Sequence, residues 1–159
     1  MIVVPNMVNN FYSESELLKK LSAFCAYRDR SEMEVVNKLK TLNASETQIP
    51  KVLQFLRDEK FLDENRFAFS YARGKFFQNK WGKHKIYRGL KTQKIPDELI
   101  NRALGEIPHD EYLQTMRELS RKKWGSLPDN PPHEARQKVY QYLLSKGYES
   151  HLIRELLKG

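Results

Sequence analysis

The sequence predicts an all-α protein, an elongated and curved array of three tandem three-helix repeats. Apolar residues recur at helical spacing, and no stretch sustains the alternation of a strand. One apolar quartet, with spacings of 4, 10 and 4, occurs three times, at Val35, Leu39, Ile49 and Leu53, at Ile86, Leu90, Ile100 and Leu104, and at Val139, Leu143, Ile153 and Leu157. The quartets recur about every fifty residues, each after a further helix, so the unit is a three-helix repeat. A charged content of 30% predicts much surface per residue, which favours the elongated shape.

This register divides the chain into four segments. We expect a flexible N-terminal tail over residues 1–12, then repeat 1 (13–60), repeat 2 (61–107) and repeat 3 (108–159). Four residues after the shared leucine stand Asn43, Lys94 and Gly147. A chain that leaves a helix there adopts the left-handed conformation, which suits Asn and Gly but not Lys94.

The helices of repeat 1 begin at polar caps. Ser13 with Glu16, and Ser31 with Glu34, fit the capping box, in which the hydroxyl and the carboxylate each bind a free backbone amide. We expect Thr47 to cap the third helix, because this places the following proline in the first turn, where its missing N–H matters least.

Repeats 2 and 3 follow the same logic. Asp63 caps a helix through Phe77, Gly82 breaks it, and the next helix covers residues 83–93. Prolines then mark the remaining starts and stops, because proline fits the first turn of a helix but not its interior. Pro96 starts a helix to about Glu106, and Pro108 ends it before a helix from His109 to Trp124. Asn130 or Pro131 precedes a helix to Lys146, and the last helix covers about Glu149 to Lys158.

The composition points away from catalysis, and we predict no enzyme, no metal site and no cofactor. The lone Cys25 lies in an apolar segment and is expected to be a buried thiol, and the four histidines are scattered. No glycine-rich phosphate loop and no nucleophile beside a base occurs. No apolar run is long enough to cross a membrane, and the start of the chain lacks the pattern of a signal peptide, so we expect a cytoplasmic protein.

The charge is concentrated in one stretch of repeat 2. The whole chain carries a formal net charge of +8, and between positions 66 and 94 there is no acidic residue. The candidate binding residues are the nine cations of this stretch: Arg66, Arg73, Lys75, Lys80, Lys83, Lys85, Arg88, Lys91 and Lys94. A solvated face usually mixes both signs, so we favour an anion-binding or acidic-surface-binding role over simple solubility.

Helical spacing places several of these cations on shared faces. One face of the helix from residue 83 carries Lys83, Tyr87, Lys91 and Lys94, and the preceding helix carries Arg66 and Arg73 two turns apart. The interleaved aromatic residues have two readings: Phe67, Tyr71 and Trp81 are assigned to the core, whereas Phe69, Phe76 and Tyr87 stay open between core and binding surface.

The motif FLDENRFA at residues 61–68, followed by YAR at 71–73, resembles a known family. With Gly82, Lys85-Ile86, Leu90 and Ile95 it is similar to the pattern FLDDxRFAxxYVRxR followed by GxxRIxxELxxKGI of the RecX family of bacterial regulatory proteins. Length and tandem repeats also fit from about Ser15 onward. Gly89 departs from the glutamate common in the family, and Lys94 from the glycine.

The resemblance implies a modulator of the RecA recombinase. Members of this family bind in the groove of the RecA filament on single-stranded DNA, inhibit ATP hydrolysis and strand exchange, and limit the SOS response, and some bind DNA directly. The matching positions are Asp63, Arg66, Phe67, Tyr71, Arg73, Gly82, Lys85 and Ile86. Of these, Arg66, Arg73 and Lys85 are the expected contact residues. The implied partners are the RecA filament and single-stranded DNA, with double-stranded DNA as a further candidate, and we expect a monomer.

Two other readings stay open. A stand-alone nucleic-acid binder would bind DNA without RecA and with strong salt dependence. A scaffold of helical repeats for protein partners alone would have no DNA affinity at low salt.

Overall fold

The computed structural model describes residues 11–158, and this part of the chain contains only α-helices and no strand, which confirms the all-α prediction. The helices are α1 (Glu14–Tyr27), α2 (Glu32–Thr41), α3 (Gln48–Asp58), α4 (Glu64–Phe77), α5 (Lys83–Thr92), α6 (Asp97–Gly105), α7 (His109–Gly125), α8 (Pro132–Ser145) and α9 (Ser150–Leu156). The first ten residues of the predicted flexible tail lie outside the described part. Tyr12, the last residue of the predicted tail, packs against the core formed by α1, α2 and α3. The Tyr12 carbonyl accepts a hydrogen bond from Gln48 Nε2 at 3.0 Å.

The predicted caps of the first two helices are present. Ser13 Oγ accepts from the amide of Glu16, and the Glu16 side chain accepts from the Ser13 amide in return. Ser31 Oγ likewise accepts from the Glu34 amide at 3.0 Å. The Glu34 carboxylate also pairs with the Arg28 guanidinium at 2.9 Å, which adds an ion pair to this helix start.

The predicted cap of α3 is wrong, because Thr47 already has helical backbone angles and its side chain makes no capping bond. Ser45 takes that place: its Oγ accepts from the Gln48 amide at 3.1 Å, and Gln48 Oε1 accepts from the Ser45 amide at 2.9 Å. This is a Ser-x-x-Gln capping box, which satisfies two amides where a Thr47 cap would satisfy one.

The three equivalent helix exits share one geometry, which confirms the prediction from the repeat register. Asn43 and Lys94 have φ of 58° each, and Gly147 has φ of 99°. In each repeat the carbonyl of the shared leucine accepts from the amide five residues later, at 3.0, 3.2 and 3.1 Å in chain order. This is the Schellman arrangement, which satisfies carbonyls that the helix end would leave free. Lysines 60 and 80 also have positive φ, of 62° and 59°.

The described residues divide into two compact units, and the division falls within α4. Unit 1 ends at Phe67 and unit 2 begins at Ala68. In unit 1, α1, α2 and α3 pack on one another around a core that includes Leu17, Leu39 and Leu56, all fully buried. Cys25 lies in this core, as predicted, and burial raises the pKa of its thiol, which therefore packs as a small apolar group.

In unit 2 the helices pair as α5 with α6, α7 with α8, and α8 with α9. Of the twelve quartet residues in the whole chain, all are buried except Ile49 and Leu104, which are half-buried. The shared spacing therefore marks core positions, as the repeat required.

A close backbone contact joins the start of α5 to the turn between α8 and α9. The Gly82 amide donates to the Lys146 carbonyl at 2.7 Å, and the His84 amide donates to the Gly147 carbonyl at 2.9 Å. A Cβ on Gly82 would lie 2.3 Å from the Gly147 carbonyl carbon, so only glycine fits there. Gly147 is equally restricted, because it has a positive φ and a Cβ there would lie 2.4 Å from Lys85 Cβ.

Tyrosines fasten the same contact. Tyr112 Oη accepts from the Lys83 amide at 3.0 Å and donates to Glu149, and Tyr148 Oη donates to the Lys80 carbonyl at 2.8 Å. The Tyr112 and Tyr148 rings pack with centroids 5.1 Å apart. Burial raises the pKa of both phenols, so both remain hydrogen-bond donors throughout the physiological range. The contact between the start of α5 and the α8–α9 turn thus combines backbone hydrogen bonds with packed aromatic rings.

Candidate functional site

Arg66, the first of the nine predicted cations, is engaged within unit 1. Its Nε lies 2.6 Å from Asp29 Oδ1, and its Nη2 donates to the carbonyls of Lys60 and Phe61 at 3.1 and 3.2 Å. These bonds hold the end of α3 to the start of α4, where the Asp63 carboxylate caps the helix as predicted by accepting from the Arg66 amide at 3.0 Å. The Arg66 guanidinium therefore has a structural role in the free protein.

Lys91 is also neutralised. Its Nζ lies 3.0 Å from Asp97 Oδ1, and Tyr87 Oη donates to the same oxygen at 2.7 Å. The hydrogen bonds from Tyr87 and Lys91 lower the pKa of the Asp97 carboxyl, and the bond to Asp97 raises the pKa of Lys91. A carboxylate at the start of α6 thus neutralises part of the predicted basic face, which carries Lys83, Tyr87, Lys91 and Lys94.

The other seven cations keep their charge unpaired by any carboxylate in residues 11–158. All seven belong to unit 2: Arg73, Lys75, Lys80, Lys83, Lys85, Arg88 and Lys94. Arg73 lies over the Phe77 ring at 5.3 Å, and Lys83 lies over the Tyr112 ring at 5.1 Å. Seven of the nine predicted cations therefore lie in unit 2 without a carboxylate partner among residues 11–158, and their role in binding stays a prediction.

Two lysines lie over one indole and two more stand nearby, one just before it in the chain and one bonded to the Asn79 carbonyl, and we call this group the tryptophan–lysine cluster: Trp81, Lys75, Lys80, Lys85 and Lys146. Lys75 Nζ lies 4.7 Å and Lys85 Nζ 4.6 Å from the centroid of the Trp81 ring, distances at which the ring attracts a cation. Lys80 occupies the left-handed position just before the indole. The cluster concentrates positive charge where α4 ends and α5 begins.

Lys146 is the member that the sequence analysis missed, since it stands in repeat 3, far outside the basic stretch. The Gly82–Gly147 contact brings it in, and its Nζ donates to the Asn79 carbonyl at 2.8 Å. Burial, and then the charges of Lys85 and Lys80, lower its pKa. The equivalence of Gly147 with Lys94 in the repeat was visible, but nothing in the sequence indicated that the α8–α9 turn lies against Gly82.

The aromatic residues of the basic stretch divide between core and surface. Phe67 is buried, as predicted, and Phe76 is buried as well. Tyr71 and Trp81, which were assigned to the core, are only half-buried: Tyr71 on α4 and Trp81 in the turn before α5 both lie beside the Lys75 side chain. Phe69 and Tyr87 are also half-buried, and the Tyr87 hydroxyl is bound to Asp97.

Gly89, which departs from the family pattern, makes room for Tyr71. A Cβ on Gly89 would lie 2.0 Å from Tyr71 Oη. The loss of helix propensity at a glycine, about 1 kcal/mol, is therefore exchanged for closer packing of α4 against α5. Burial raises the pKa of the Tyr71 phenol, consistent with this enclosed position.

Two further features bear on the class of protein. Across residues 11–158, no group of three or more histidine, cysteine, aspartate or glutamate side chains is placed to hold a metal ion. None of the helices in that range has the length and apolar content needed to span a bilayer.

Comparison with known proteins gives consistent matches. Family models for the second and third three-helix domains of RecX match residues 63–104 and 110–157. The regulatory protein RecX of Clostridium acetobutylicum strain ATCC 824 is 31% identical over 154 residues, covering 94% of this chain and 69% of that protein. The regulatory protein RecX of Geobacillus sp. strain WCH70 is 32% identical over 134 residues, covering 84% of this chain and 49% of that protein.

The fold is also that of a solved structure. A crystal structure of RecX from Lactobacillus salivarius superposes with a TM-score of 0.83, at 21% identity, over 95% of this chain and 96% of that one. At this identity the likeness concerns the fold. The chain spans about half the length of several curated relatives that it matches, 49% and 50% of the two Geobacillus proteins for example.

Proposed function

The chain belongs to the RecX family of regulatory proteins, and on this premise we propose that it regulates homologous recombination and DNA repair by binding the RecA filament on single-stranded DNA. It inhibits ATP hydrolysis and strand exchange by RecA and so limits the SOS response. The observation that supports this most directly is the set of seven cations in unit 2 without a carboxylate partner. A filament groove lined by DNA phosphates is a polyanion, and such a surface is attracted to it without further chemistry.

The proposed action is binding and not catalysis. The cations of unit 2 engage phosphates or acidic side chains within the groove, and the helical repeats hold them in fixed register along it. A protein bound across several recombinase protomers hinders the conformational change that ATP hydrolysis requires. We further propose that the protein acts as a monomer in the cytoplasm, where the filament forms.

The first experiment measures ATP hydrolysis by the host RecA on single-stranded DNA during titration with this protein. Inhibition at ratios well below one per RecA protomer is expected, since one bound molecule affects a filament segment. Inhibition only at DNA-saturating amounts would favour simple masking of DNA, and no inhibition would contradict the proposal.

A matched pair of variants tests the surface. The triple variant Lys80→Gln, Lys85→Gln, Arg88→Gln removes three unpaired cations of unit 2. The control Lys19→Gln, Lys40→Gln, Lys122→Gln makes the same charge change at three exposed lysines outside the basic stretch that have no ion pair within residues 11–158. If the three cations meet phosphates, the log–log salt slope falls by about 2, and affinity for the filament at 0.1 M salt by roughly a hundredfold. The control should bind as the unaltered protein does.

The alternative function, a DNA-binding protein that acts without RecA, is favoured by one observation, the tryptophan–lysine cluster. Binding to free DNA at equal affinity in the absence and presence of RecA would support it over filament regulation.

A further inference from the structure

We propose that the tryptophan–lysine cluster binds the phosphodiester backbone of nucleic acid independently of the bases, with Lys146 as a binding cation and Trp81 as a scaffold for lysines. This inference rests on the proposed function, since the cluster is part of the same basic surface. It adds Lys146, which follows α8, to that surface, and it specifies the phosphodiester group as the ligand.

The first argument is the mutual repulsion of the lysines. Lys75 and Lys85 both approach the ring of Trp81 within 4.7 Å of its centroid. Lys146 Nζ bonds to the carbonyl of Asn79, the residue before Lys80, and the neighbouring Gly147 lies against Lys85 Cβ. Burial, and then the charges of Lys85 and Lys80, lower the pKa of Lys146. Within the described residues no carboxylate pairs with any of these four ammonium groups. Like charges held together in this way oppose folding, and a bound anion relieves the repulsion.

The second argument concerns the hydrogen bonds that Lys146 keeps available. Its ammonium group has three donors, and the structure engages one of them with the Asn79 carbonyl at 2.8 Å. That bond, together with the fixed backbone of the Gly147 turn, positions Nζ beside the other lysines. The two remaining donors suit the oxygens of a phosphate.

The third argument excludes base stacking as the basis of recognition. The Trp81 ring is half-buried, and two ammonium groups lie over it. A base could stack on the indole only by displacing lysine side chains and their cation–π attraction. Binding at this cluster therefore depends on phosphate density and not on sequence.

Nucleic acid fits the cluster better than an acidic protein surface does. Protein interfaces usually centre on a buried apolar or aromatic anchor. Among the described residues, the exposed large apolar side chains are Phe11, Tyr27 and Phe77, and none belongs to the cluster. A surface of charge without such an anchor suits a polyelectrolyte.

The test compares Lys146→Met with the control Lys138→Met, an exposed lysine of the same repeat without an ion pair in residues 11–158. Binding to a fluorescent thymidine oligonucleotide is measured without RecA across a salt series. Lys146→Met should weaken binding about fivefold at 0.1 M salt and lower the log–log slope by about 0.7, while the control changes neither. An unchanged slope for Lys146→Met would overturn the proposal.

Thermal unfolding separates this role from a merely structural one. Lys146→Met relieves the repulsion but also loses the hydrogen bond to the Asn79 carbonyl, so the two effects offset each other and its Tm should stay within about 3 °C of that of the unaltered protein while binding weakens. A Tm that falls by more than this together with weaker binding would mean that Lys146 acts through the fold, and it would overturn the proposal.

Two further ligands test the chemistry. An abasic deoxyribose-phosphate oligomer of equal length should bind as tightly as the thymidine oligonucleotide, and a poly-glutamate peptide of equal charge should bind at least tenfold more weakly. A clear preference for the oligomer with bases, or equal binding of the peptide that is lost in Lys146→Met, would overturn the assignment. Because RecA is absent, these results are independent of ATPase inhibition: the cluster can fail while inhibition stands, and the reverse.

Discussion

The substitution Gly82→Ala tests the contact that holds repeats 2 and 3 together. The added Cβ would lie 2.3 Å from the Gly147 carbonyl carbon and 2.4 Å from the Tyr148 amide nitrogen. Carbon atoms in contact are about 3.5 Å or more apart, so the two backbones must separate by about 1 Å. Both neighbours are main-chain atoms, and neither can rotate away as a side chain would.

The expected cost follows from the bonds that this separation breaks. The hydrogen bonds from Gly82 to Lys146 and from His84 to Gly147, now 2.7 and 2.9 Å, would be stretched beyond bonding distance. Each contributes about 0.5–1.5 kcal/mol, and residual crowding costs about 1–3 kcal/mol. We therefore expect Gly82→Ala to reduce the free energy of unfolding by about 3 kcal/mol, or the Tm by roughly 6–12 °C.

Gly74→Ala is the matched control, because Gly74 lies inside α4 and a Cβ there meets no atom within 4 Å. Alanine is favoured over glycine in a helix, so this variant should gain about 0.5–1 kcal/mol. Urea and thermal unfolding, followed by circular dichroism, measure both. Equal stabilities for the two variants would refute the close approach of Gly82 to the α8–α9 turn.

Three further changes have defined outcomes. Lys94→Gly should raise the free energy of unfolding by about 1 kcal/mol in urea unfolding, because Lys94 has a φ of 58° and glycine relieves that strain, whereas Lys94→Ala should give no gain. Asp97→Asn should reduce stability near neutral pH. The pKa of Asp97 in the folded protein is lowered from 3.8, so the stability that its carboxylate contributes is present above pH 3.8 and is lost as the pH falls through the folded pKa. The unfolding curves of variant and parent should therefore converge in acid. A difference that stays constant with pH would contradict the ion pair with Lys91. Gly89→Ala should reduce the free energy of unfolding by about 1 kcal/mol after the gain in helix propensity is counted, because the added Cβ meets the phenol oxygen of Tyr71. Tyr71→Phe in the same chain should recover most of this stability. A double-mutant cycle that finds no coupling between the two positions would exclude the collision.

The helix exits illustrate what the sequence can predict. The positions of Asn43, Lys94 and Gly147 followed from the repeat register, and a Schellman end is a local arrangement that such a register determines. Lys60 and Lys80 also adopt positive φ, but lysine has no preference for that region, so the sequence contained no signal for them.

The missed cap of α3 was within reach of the same reasoning. Ser45 and Gln48 have the spacing of Ser13 and Glu16, the box that was recognised in α1. The start of α3 was predicted at Thr47 because this places Pro50 in the first turn, although a helix accepts proline at any position of its first turn. Spacing between polar side chains is therefore the stronger signal where the two disagree.

Counting charge along the chain located the candidate surface but not all of its members. Asp29 stands 37 residues before Arg66, and its ion pair removes that cation from the surface. Lys146 lies in the turn between α8 and α9, 67 residues after Asn79, to whose carbonyl it donates. Both changes depend on how the helices pack, and a window of sequence contains no information on carboxylates or lysines that arrive from elsewhere.

The contact between Gly82 and the α8–α9 turn also sets an order of events in folding. Its flanking bonds, Lys146 Nζ to Asn79 and Tyr148 Oη to Lys80, join residues 67 and 68 positions apart, so a long loop must close before they form. During synthesis the amides of Gly82 and His84 lack their partners in the α8–α9 turn until Gly147 has been added to the chain. A repeat array usually folds by addition of neighbours. Here repeat 2 reaches its final structure only with the last helices of repeat 3, so the two are expected to unfold in a single transition.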